Sequence, residues 1–278
     1  MGPKKPNNAK ARVPAIVLAI GGSDPGAGAG IQADLKTVAA LGGYALTALT
    51  AVTVQDTKGV RQVFQVPARV VEAQAKAVLA DIGAEAVKTG MLGSAETVRT
   101  VAALLAGPAK RLPAVIDPVL VSTSGAPLLE PGGLKTFRSQ IVPRATLITP
   151  NLPEAEALTG IACKTLDDRR RAAQALMALG AKAVLVKGGH GRGATVVDLL
   201  VGESGETLFE GPRVKTRHTH GTGCTLASAI ATGLAMGLPL VEAVSRGWAY
   251  TAEAIRHAPG LGKGRGPLEH FWAARQKK

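Results

Sequence analysis

The sequence predicts an α/β protein with a mostly parallel central sheet covered by helices on both faces. Short apolar segments alternate with helical segments along most of the 278 residues, which is the pattern of strand–helix–strand units. Hydrophobic residues make up 46% of the chain and aromatic residues only 3%, so we expect a large aliphatic core. No repeat or linker divides the pattern. We therefore expect one domain over residues 14–272, between a disordered basic tail at 1–13 and a basic tail at 273–278.

The first elements follow from local composition. Residues 15–20 form a short apolar run, typical of a buried parallel strand, and the glycine-rich segment 21–30 predicts a long loop. A helix is expected over 31–41, where Gly42 and Gly43 end it. The same signals predict the next elements, which are strands at 44–54, 63–66, 86–91, 114–119, 145–149 and 183–186, and helices at 67–82, 95–105 and 167–179.

The C-terminal third combines a hairpin with two helices. Segments 195–201 and 207–209 flank a turn at 202–205 that contains two glycines, which predicts an antiparallel pair. Apolar residues then recur at helical spacing over about 222–236 and 239–257.

The first of these helical segments follows a glycine turn, His220-Gly221-Thr222-Gly223-Cys224. A helix that starts here leaves its first N–H groups without intrahelical partners, and its dipole is positive at this end. Such a turn can bind an anion and would suit phosphoryl transfer. The same field is expected to lower the pKa of the Cys224 thiol and favour the thiolate. The alternative is a plain glycine turn before a buried helix.

Polar residues recur where predicted parallel strands end, and ligands of such sheets bind at that edge. A carboxylate after a buried strand, as at Asp117, is costly unless it is paired or bound to metal. Asn151 and Glu154 lie one turn apart at a helix start, so both can face one Mg²⁺ ion, although Glu154 also fits an ordinary first-turn acid. Lys187 ends an apolar strand beside two glycines, a suitable position to meet a phosphate.

Three further features have competing interpretations. Asp34 is either a solvated helix charge, which the residues alone favour, or a carboxylate that recognises a donor-rich small molecule. Gly28-x-Gly30-x-x-Ala33 fits the dinucleotide fingerprint of nicotinamide oxidoreductases, but its distance from the preceding strand is too long for that motif. His218 and His220 are better explained as turn residues than as a metal-binding pair.

Charge and cysteine content restrict the partners. The formal net charge is +13, which suits phosphorylated ligands, and much of it lies at the termini without interleaved aromatics. Nucleic-acid binding is therefore not expected. Two cysteines give no disulfide framework and fit a reducing cytoplasm. Neither a signal peptide nor an apolar run of membrane-spanning length is visible, so no membrane association is expected.

Several strings together resemble one known family, the hydroxymethylpyrimidine/phosphomethylpyrimidine kinases of thiamine biosynthesis, which are ribokinase-like. The resemblance covers about residues 15–271. The strings that carry it are Gly22-Ser-Asp, Gly28-Ala-Gly-Ile-Gln-Ala-Asp-Leu-Lys36, Thr89-Gly-Met91, Asp117-Pro-Val119, Thr149-Pro-Asn-Leu-Pro-Glu154, Lys187-Gly-Gly-His190, Thr219-His-Gly-Thr-Gly-Cys224 and Gly264-Arg-Gly-Pro267. Pro25, Ala27, Asp56 and His218 depart from the usual residues of the family.

The resemblance implies a three-layer α/β/α fold that uses ATP and Mg²⁺ to phosphorylate a pyrimidine alcohol and then its monophosphate. It implies a pyrimidine pocket, a metal site and an anion hole. The pocket would be lined by Gly22, Asp34, Gln55, Met91 and Val119; the metal would be held by Asp117, Asn151 and Glu154; and Lys187, with Gly223, would serve the nucleotide.

The implied anion hole comprises Gly221, Thr222, Gly223 and Cys224, with Cys224 at the position of the catalytic base in related sugar kinases. A pyridoxal kinase of the same family and a non-catalytic pyrimidine-binding regulator stay open as alternatives. A homodimer is a further expectation.

Overall fold

The structure, a computed structural model, describes residues 14–122, 125–191 and 193–275. The predicted tail at 1–13 lies outside these residues. Nine strands form one sheet in the order β3-β2-β1-β4-β5-β6-β7-β8-β9. The strands are β1 Ile16–Ser23, β2 Tyr44–Asp56, β3 Gly59–Gln65, β4 Ala86–Thr89, β5 Ala114–Ile116, β6 Leu147–Ile148, β7 Ala183–Val186, β8 Thr195–Gly202 and β9 Gly205–Pro212.

The helices occupy the connections between these strands and the C-terminal region. They are α1 Gly30–Ala40, α2 Ala68–Asp81, α3 Ala95–Ala106, α4 Gly133–Thr136, α5 Leu152–Thr159, α6 Leu166–Ala178, α7 Thr222–Ala235, α8 Leu240–Arg256 and α9 Trp272–Arg275. A π-helical turn, Phe137–Ile141, and a 3₁₀ turn, Val142–Arg144, continue from α4 towards β6.

The sheet is parallel in its centre and antiparallel at both edges. Strands β2, β1, β4, β5, β6 and β7 run parallel to one another. At one edge β3 pairs antiparallel with β2, and at the other β8 and β9 form the predicted hairpin beside β7. The predicted α/β class is therefore confirmed.

Alternate residues of the central strands point into two separate cores. Leu18 and Ile116 belong to the core shared with α2, α3, α5 and α6, whereas Val17 and Val115 belong to the core shared with α1, α7 and α8. Because side chains alternate between the two faces of a strand, one apolar run supplies both layers. The result is the expected three-layer α/β/α arrangement.

Several element boundaries differ from the predicted ones. The strands predicted to reach residues 91, 119 and 149 end at Thr89, Ile116 and Ile148 instead, which leaves the residues after them in loops at the edge of the sheet. Part of the predicted C-terminal tail is helical. Residues 273–275 belong to α9, where Trp272 stacks on His257 with ring centroids 5.8 Å apart.

A fully buried ion pair joins the sheet to the two helices that follow the glycine loops. Lys88 on β4 donates to both carboxylate oxygens of Asp34 on α1, at 2.8 and 3.0 Å, and neither side chain is exposed. Ser228 on α7 donates to the same carboxylate at 2.7 Å. Burial alone would lower the pKa of Lys88, but the Asp34 carboxylate outweighs it and raises that pKa. The network thus fixes α1, β4 and α7 relative to one another.

Replacing Lys88 by methionine should therefore be strongly destabilising. Lys88→Met leaves a buried carboxylate without its cation, and breaking such a pair costs about 3–5 kcal/mol. Urea denaturation of the variant measures this loss directly. Lys76 is the matched control, because it forms an exposed pair with Glu72 on one face of α2, and Lys76→Met should change the free energy of unfolding by less than about 1 kcal/mol. Equal stabilities of the two variants would contradict the role given to the buried pair.

Candidate active site

The first glycine loop is folded around the carboxylate of Asp24. This buried side chain accepts the backbone N–H groups of Gly26 at 2.8 Å, Gly28 at 3.1 Å and Ala29 at 2.9 Å. It also accepts a hydrogen bond of 2.8 Å from Nε2 of His220, in the turn before α7. One carboxylate therefore holds the loop after β1 against the turn that leads into α7.

The charge of Asp24 is maintained by its partners. Burial would raise the pKa of Asp24, but the hydrogen bond and charge of His220, together with the backbone N–H groups, hold it below its usual value. A carboxylate can only accept, so Nε2 of His220 carries the proton. Nδ1 of His218 accepts the N–H of Gly266 at 3.2 Å, so the two histidines have separate partners, as the turn interpretation predicts.

The first turn of α7 meets the loop after β1 and the ends of β5 and β7. Gly221 has φ +87°, and a Cβ there would lie 1.7 Å from the carbonyl oxygen of Gly28, so only glycine fits. A Cβ on Gly223 would lie 3.1 Å from Oδ2 of Asp117 and 3.2 Å from Nζ of Lys187. Thr222 donates its hydroxyl to the carbonyl of Thr219 at 2.7 Å. The helix N-terminus is thus packed directly against one anionic and one cationic side chain.

Cys224 differs from its predicted state. Burial raises the pKa of its thiol to about 11, with Asp34 and Asp117 acting in the same direction. The charge of Lys88 and the N–H of Gly30 oppose this shift without reversing it. The expected thiolate is therefore wrong: desolvation outweighs these opposing effects, and Cys224 is a neutral thiol near pH 7.

Asp117 and Glu154 lie with Lys187 in one cluster at the edge of the sheet. Nζ of Lys187 donates to Oδ1 of Asp117 at 2.8 Å, and Thr149 donates to the same oxygen at 3.2 Å. Burial favours the neutral amine, but Asp117 and Glu154 outweigh it and raise the pKa of Lys187. Burial also raises the pKa of Glu154 to about 7, against the opposing charge of Lys187.

The predicted metal site is only partly formed by side chains. Oδ1 of Asn151 accepts the N–H of Glu154 at 2.9 Å, and Oε2 of Glu154 accepts the N–H of Asn151 at 2.8 Å, so the two residues form a capping box. Among the residues that the structure describes, no group of three His, Cys, Asp or Glu side chains forms a metal cage. Two neighbouring carboxylates nevertheless fit Mg²⁺, which usually keeps several waters and is completed by substrate phosphates.

The residues expected to line a pyrimidine pocket do not share one set of contacts. Gly22 and Met91 are adjacent, since a Cβ on Gly22 would lie 3.1 Å from Sδ of Met91. Nε2 of Gln55 lies 3.2 Å from Nε2 of His220. Val119, two residues after Asp117, is half-buried, and its N–H donates to the carbonyl of Asp117 at 2.9 Å.

Asp34 is the exception among these residues. It is not the solvated helix charge that the residues alone favour, because its carboxylate is buried and bonded to Lys88 and Ser228. A contact with substrate would require this network to open. The geometry therefore favours a positioning role for Asp34, and direct recognition of the pyrimidine stays a prediction.

Comparison with known proteins gives the family. The sequence profile described as phosphomethylpyrimidine kinase matches residues 24–269. The chain belongs to the phosphomethylpyrimidine kinase family. It is 50% identical to the hydroxymethylpyrimidine/phosphomethylpyrimidine kinase of Streptomyces coelicolor over 260 residues, which is 94% of this chain and 96% of that protein.

Two solved structures support the same assignment of this kinase. A phosphomethylpyrimidine kinase from Clostridium difficile is 41% identical, with a TM-score of 0.77 over 87% of this chain and 99% of the other. An ADP complex of Bacillus subtilis pyridoxal kinase is 34% identical, with a TM-score of 0.86 over 94% of this chain and 99% of the other. The predicted family, the ribokinase-like fold and the enzyme class, a kinase, are confirmed. The nicotinamide oxidoreductase alternative is set aside.

The loop after Lys187 is held in place by residues that the sequence did not single out. Arg213 donates to the carbonyls of Gly189, Gly191 and Gly193, at 2.7 to 2.9 Å. Asp198, which is buried, accepts the N–H of Gly188 at 2.6 Å. This kinase therefore presents the loop beside Lys187 in a fixed shape.

Asp24, Lys88 and Ser228 were also missed as site residues. The Asp-Pro-Gly string at 24–26 is a turn signal that could have indicated Asp24 as the centre of the loop. Lys88 and Ser228 carry no comparable signal, because each is a polar residue within a largely apolar strand or helix.

The protonation state of Cys224 can be measured by alkylation. In a Cys163→Ser background, the rate of reaction with iodoacetamide should rise about tenfold per pH unit up to about pH 10, without a plateau, because only the thiolate reacts. Cys163 is buried and is removed so that one thiol is observed. The variant that also carries Cys224→Ser gives the background rate. A plateau near pH 7 would show that the thiol is ionised after all.

Proposed function

We propose that this kinase transfers phosphate from ATP to 4-amino-5-hydroxymethyl-2-methylpyrimidine and then to its monophosphate, giving the diphosphate used in thiamine biosynthesis. The single observation that carries the proposal is the packing of the α7 N-terminus against Asp117 and Lys187, with Cys224 in the same turn. The relative from Streptomyces coelicolor, which matches along nearly its whole length, has the name of this activity.

The residues of the chain support distinct roles in such a transfer. The N–H groups in the first turn of α7 are suited to stabilise negative charge on the transferred phosphate. Lys187, which stays cationic, is suited to contact the phosphates of ATP. Asp117 and Glu154 would hold Mg²⁺, with Asn151 limited to a water-mediated contact, and the ion would supply charge neutralisation on the phosphates.

The neutral thiol of Cys224 suits two acceptors of different charge. A carboxylate in this half-buried position would repel an incoming monophosphate, because charges interact strongly where screening is weak. A thiol that is neutral near pH 7 accommodates both the alcohol and the dianionic monophosphate. The lack of a strong base is least important in the second step, since a phosphate oxygen already carries negative charge.

Pyridoxal phosphorylation is the second candidate function. It rests on one observation, the likeness to the Bacillus subtilis pyridoxal kinase. The non-catalytic regulator is disfavoured because Cys224, Lys187 and Glu154 are all present in one connected site.

Exposed apolar residues on β2 and β3 indicate how the chain assembles. Val52, Val54 and Phe64 expose 43%, 52% and 68% of their surfaces on the paired strands β2 and β3. An apolar edge of this kind suits a second copy of the chain, so we expect a homodimer.

No helix within the described ranges is long and apolar enough to cross a membrane. The two free cysteines suit a reducing cytoplasm.

A coupled assay for ADP release tests the proposed function. With ATP and Mg²⁺, the hydroxymethylpyrimidine and its monophosphate should both be turned over, with kcat/KM at least about tenfold above that for pyridoxal, a difference of about 1.4 kcal/mol in activation free energy. Lys187→Met is the matched inactive control. Higher kcat/KM for pyridoxal would favour the second candidate. Binding of the pyrimidine without turnover of any acceptor would favour the regulator.

The proposed metal role of Glu154 has its own test. Glu154→Gln keeps an oxygen that can accept the N–H of Asn151, so the capping box is retained while the charge is lost. The Mg²⁺ concentration for half-maximal activity should rise by about tenfold, as expected for the loss of one charged ligand, and the affinity for the pyrimidine should stay nearly unchanged. A magnesium titration identical to that of the wild type would remove Glu154 from the metal site.

A further inference from the structure

The side-chain amide of Gln55 lies between two polar side chains, one at each of its ends. Gln55 is half-buried near the end of β2. One end of the amide lies 3.2 Å from Nε2 of His220, and the other lies 3.2 Å from Oγ1 of Thr53. Because the oxygen and nitrogen of an amide have nearly the same shape, the hydrogen bonds around it decide which atom faces which neighbour.

His220 accommodates only the oxygen of this amide. Nε2 of His220 lies 2.8 Å from Oδ2 of Asp24, a carboxylate that also accepts backbone N–H groups and whose pKa is below its usual value. Since this carboxylate is ionised and can only accept, Nε2 of His220 carries a hydrogen and is a donor. The amide nitrogen of Gln55, a second donor, would be repelled at this distance, whereas the amide oxygen can accept from the same N–H.

Thr53 leads independently to the same orientation. Its side chain is buried, and its hydroxyl lies 2.9 Å from the carbonyl oxygen of Ser23. A carbonyl can only accept, so the single hydroxyl hydrogen is donated to Ser23. The lone pairs of Oγ1 therefore face Gln55, where they accept from the amide nitrogen and repel the amide oxygen. Both neighbours thus place the amide oxygen towards His220 and the amide nitrogen towards Thr53.

The amide of Gln55 keeps one donor and one acceptor for a ligand. A primary amide has two N–H groups and two lone pairs on its oxygen, and Thr53 and His220 use one of each. A ligand that pairs with both remaining groups must place an acceptor on the Thr53 side and a donor on the His220 side. An aminopyrimidine has this edge, because its accepting ring nitrogen is bonded to the carbon that bears the amine.

The same polarity determines where the reacting hydroxyl points. In the hydroxymethylpyrimidine, the carbon that bears the amine is bonded to the carbon that bears the hydroxymethyl group. An amine on the His220 side therefore directs the hydroxymethyl group to that side as well. His220 is followed immediately by Gly221, the N-cap of α7, and Cys224 lies in the first turn of that helix. The hydroxyl is thus directed towards the site of transfer.

We propose that His220 and Thr53 are positioning residues of this kinase, which fix the polarity of the Gln55 amide and thereby select the aminopyrimidine and orient its hydroxyl. The inference rests on the proposed function, because it needs the aminopyrimidine as acceptor. It gives the contact between Asp24 and His220 a role beyond joining two loops, since Asp24 fixes the hydrogen on Nε2. Pyridoxal has no amine beside its ring nitrogen and does not offer the same edge.

Kinetics with two alcohols of opposite polarity test this inference. In the analogue whose amine is replaced by an oxo group, the neighbouring ring nitrogen carries a hydrogen and the oxo oxygen accepts, so donor and acceptor are exchanged while the hydroxyl is kept. Wild-type kcat/KM should be about a hundredfold lower for the oxo analogue, because polar groups of the site are left unpaired. His220→Leu and Thr53→Val should each narrow this ratio at least about tenfold, because the amide is then free to rotate.

Conservative variants distinguish positioning from a general structural effect. His220→Gln keeps an N–H donor and Thr53→Ser keeps the hydroxyl, so both should retain the wild-type ratio between the two alcohols. Lys36→Met is the matched control for the first glycine loop, because it removes the hydrogen bond of 2.8 Å from Nζ to the carbonyl of Ala27 and leaves the Gln55 contacts intact. It should change kcat/KM for both alcohols by the same factor.

The inference and the proposed function fail in different ways. A wild-type ratio near one, or a ratio that is the same in all variants, would overturn the inference while the proposed function stands. Wild-type protein that does not phosphorylate the aminopyrimidine would instead overturn the proposed function. Thr53→Val lies on a strand of the sheet and alters a different element from His220→Leu, so either variant tests the inference if the other fails to fold.

Discussion

The ion pair between Lys88 and Asp34 has no contact with solvent, and the arrangement of both glycine loops depends on it. Asp34 lies on the helix that follows the first loop, and Ser228, which donates to the same carboxylate, lies one turn beyond Cys224 on α7. A buried carboxylate without partners would be unstable, so the three elements must meet in one arrangement. Asp24 and His220 make a second connection between the two loops.

This polar framework also explains why the site contains a neutral thiol next to several charges. Cys224 is desolvated beside the buried Asp34 and Lys88, and this desolvation outweighs the charge of Lys88 and the N–H of Gly30, which would lower its pKa. Lys187, the cation proposed to contact the nucleotide, lies in the neighbouring cluster with Asp117 and Glu154. A neutral group at position 224 beside this charged cluster suits an enzyme whose donor is always anionic but whose acceptor changes charge between steps.

The sequence predicted the layers of the fold well, because apolar runs and glycine turns report directly on strands and loops. It also placed Asp117, Glu154, Lys187 and the turn before Cys224 at one edge of the sheet, since parallel strands bring their carboxyl ends together. It could not predict the ionisation of Cys224, which depends on burial by distant segments. Likewise Lys88 and Asp34 are 54 residues apart, and only the tertiary structure shows that each is the other's partner.

The central claim is that the buried contacts to Asp34 hold the start of α7 in its anion-binding arrangement before any ligand arrives. Hydrogen exchange of the α7 amides at 225–229, measured without ligand in wild type and in Ser228→Ala, tests it most directly. A hydrogen bond to a charged group contributes about 1.5–3 kcal/mol, so exchange in the variant should be at least about tenfold faster in α7 and unchanged in α6. Identical exchange of the α7 amides in the two proteins would contradict the account.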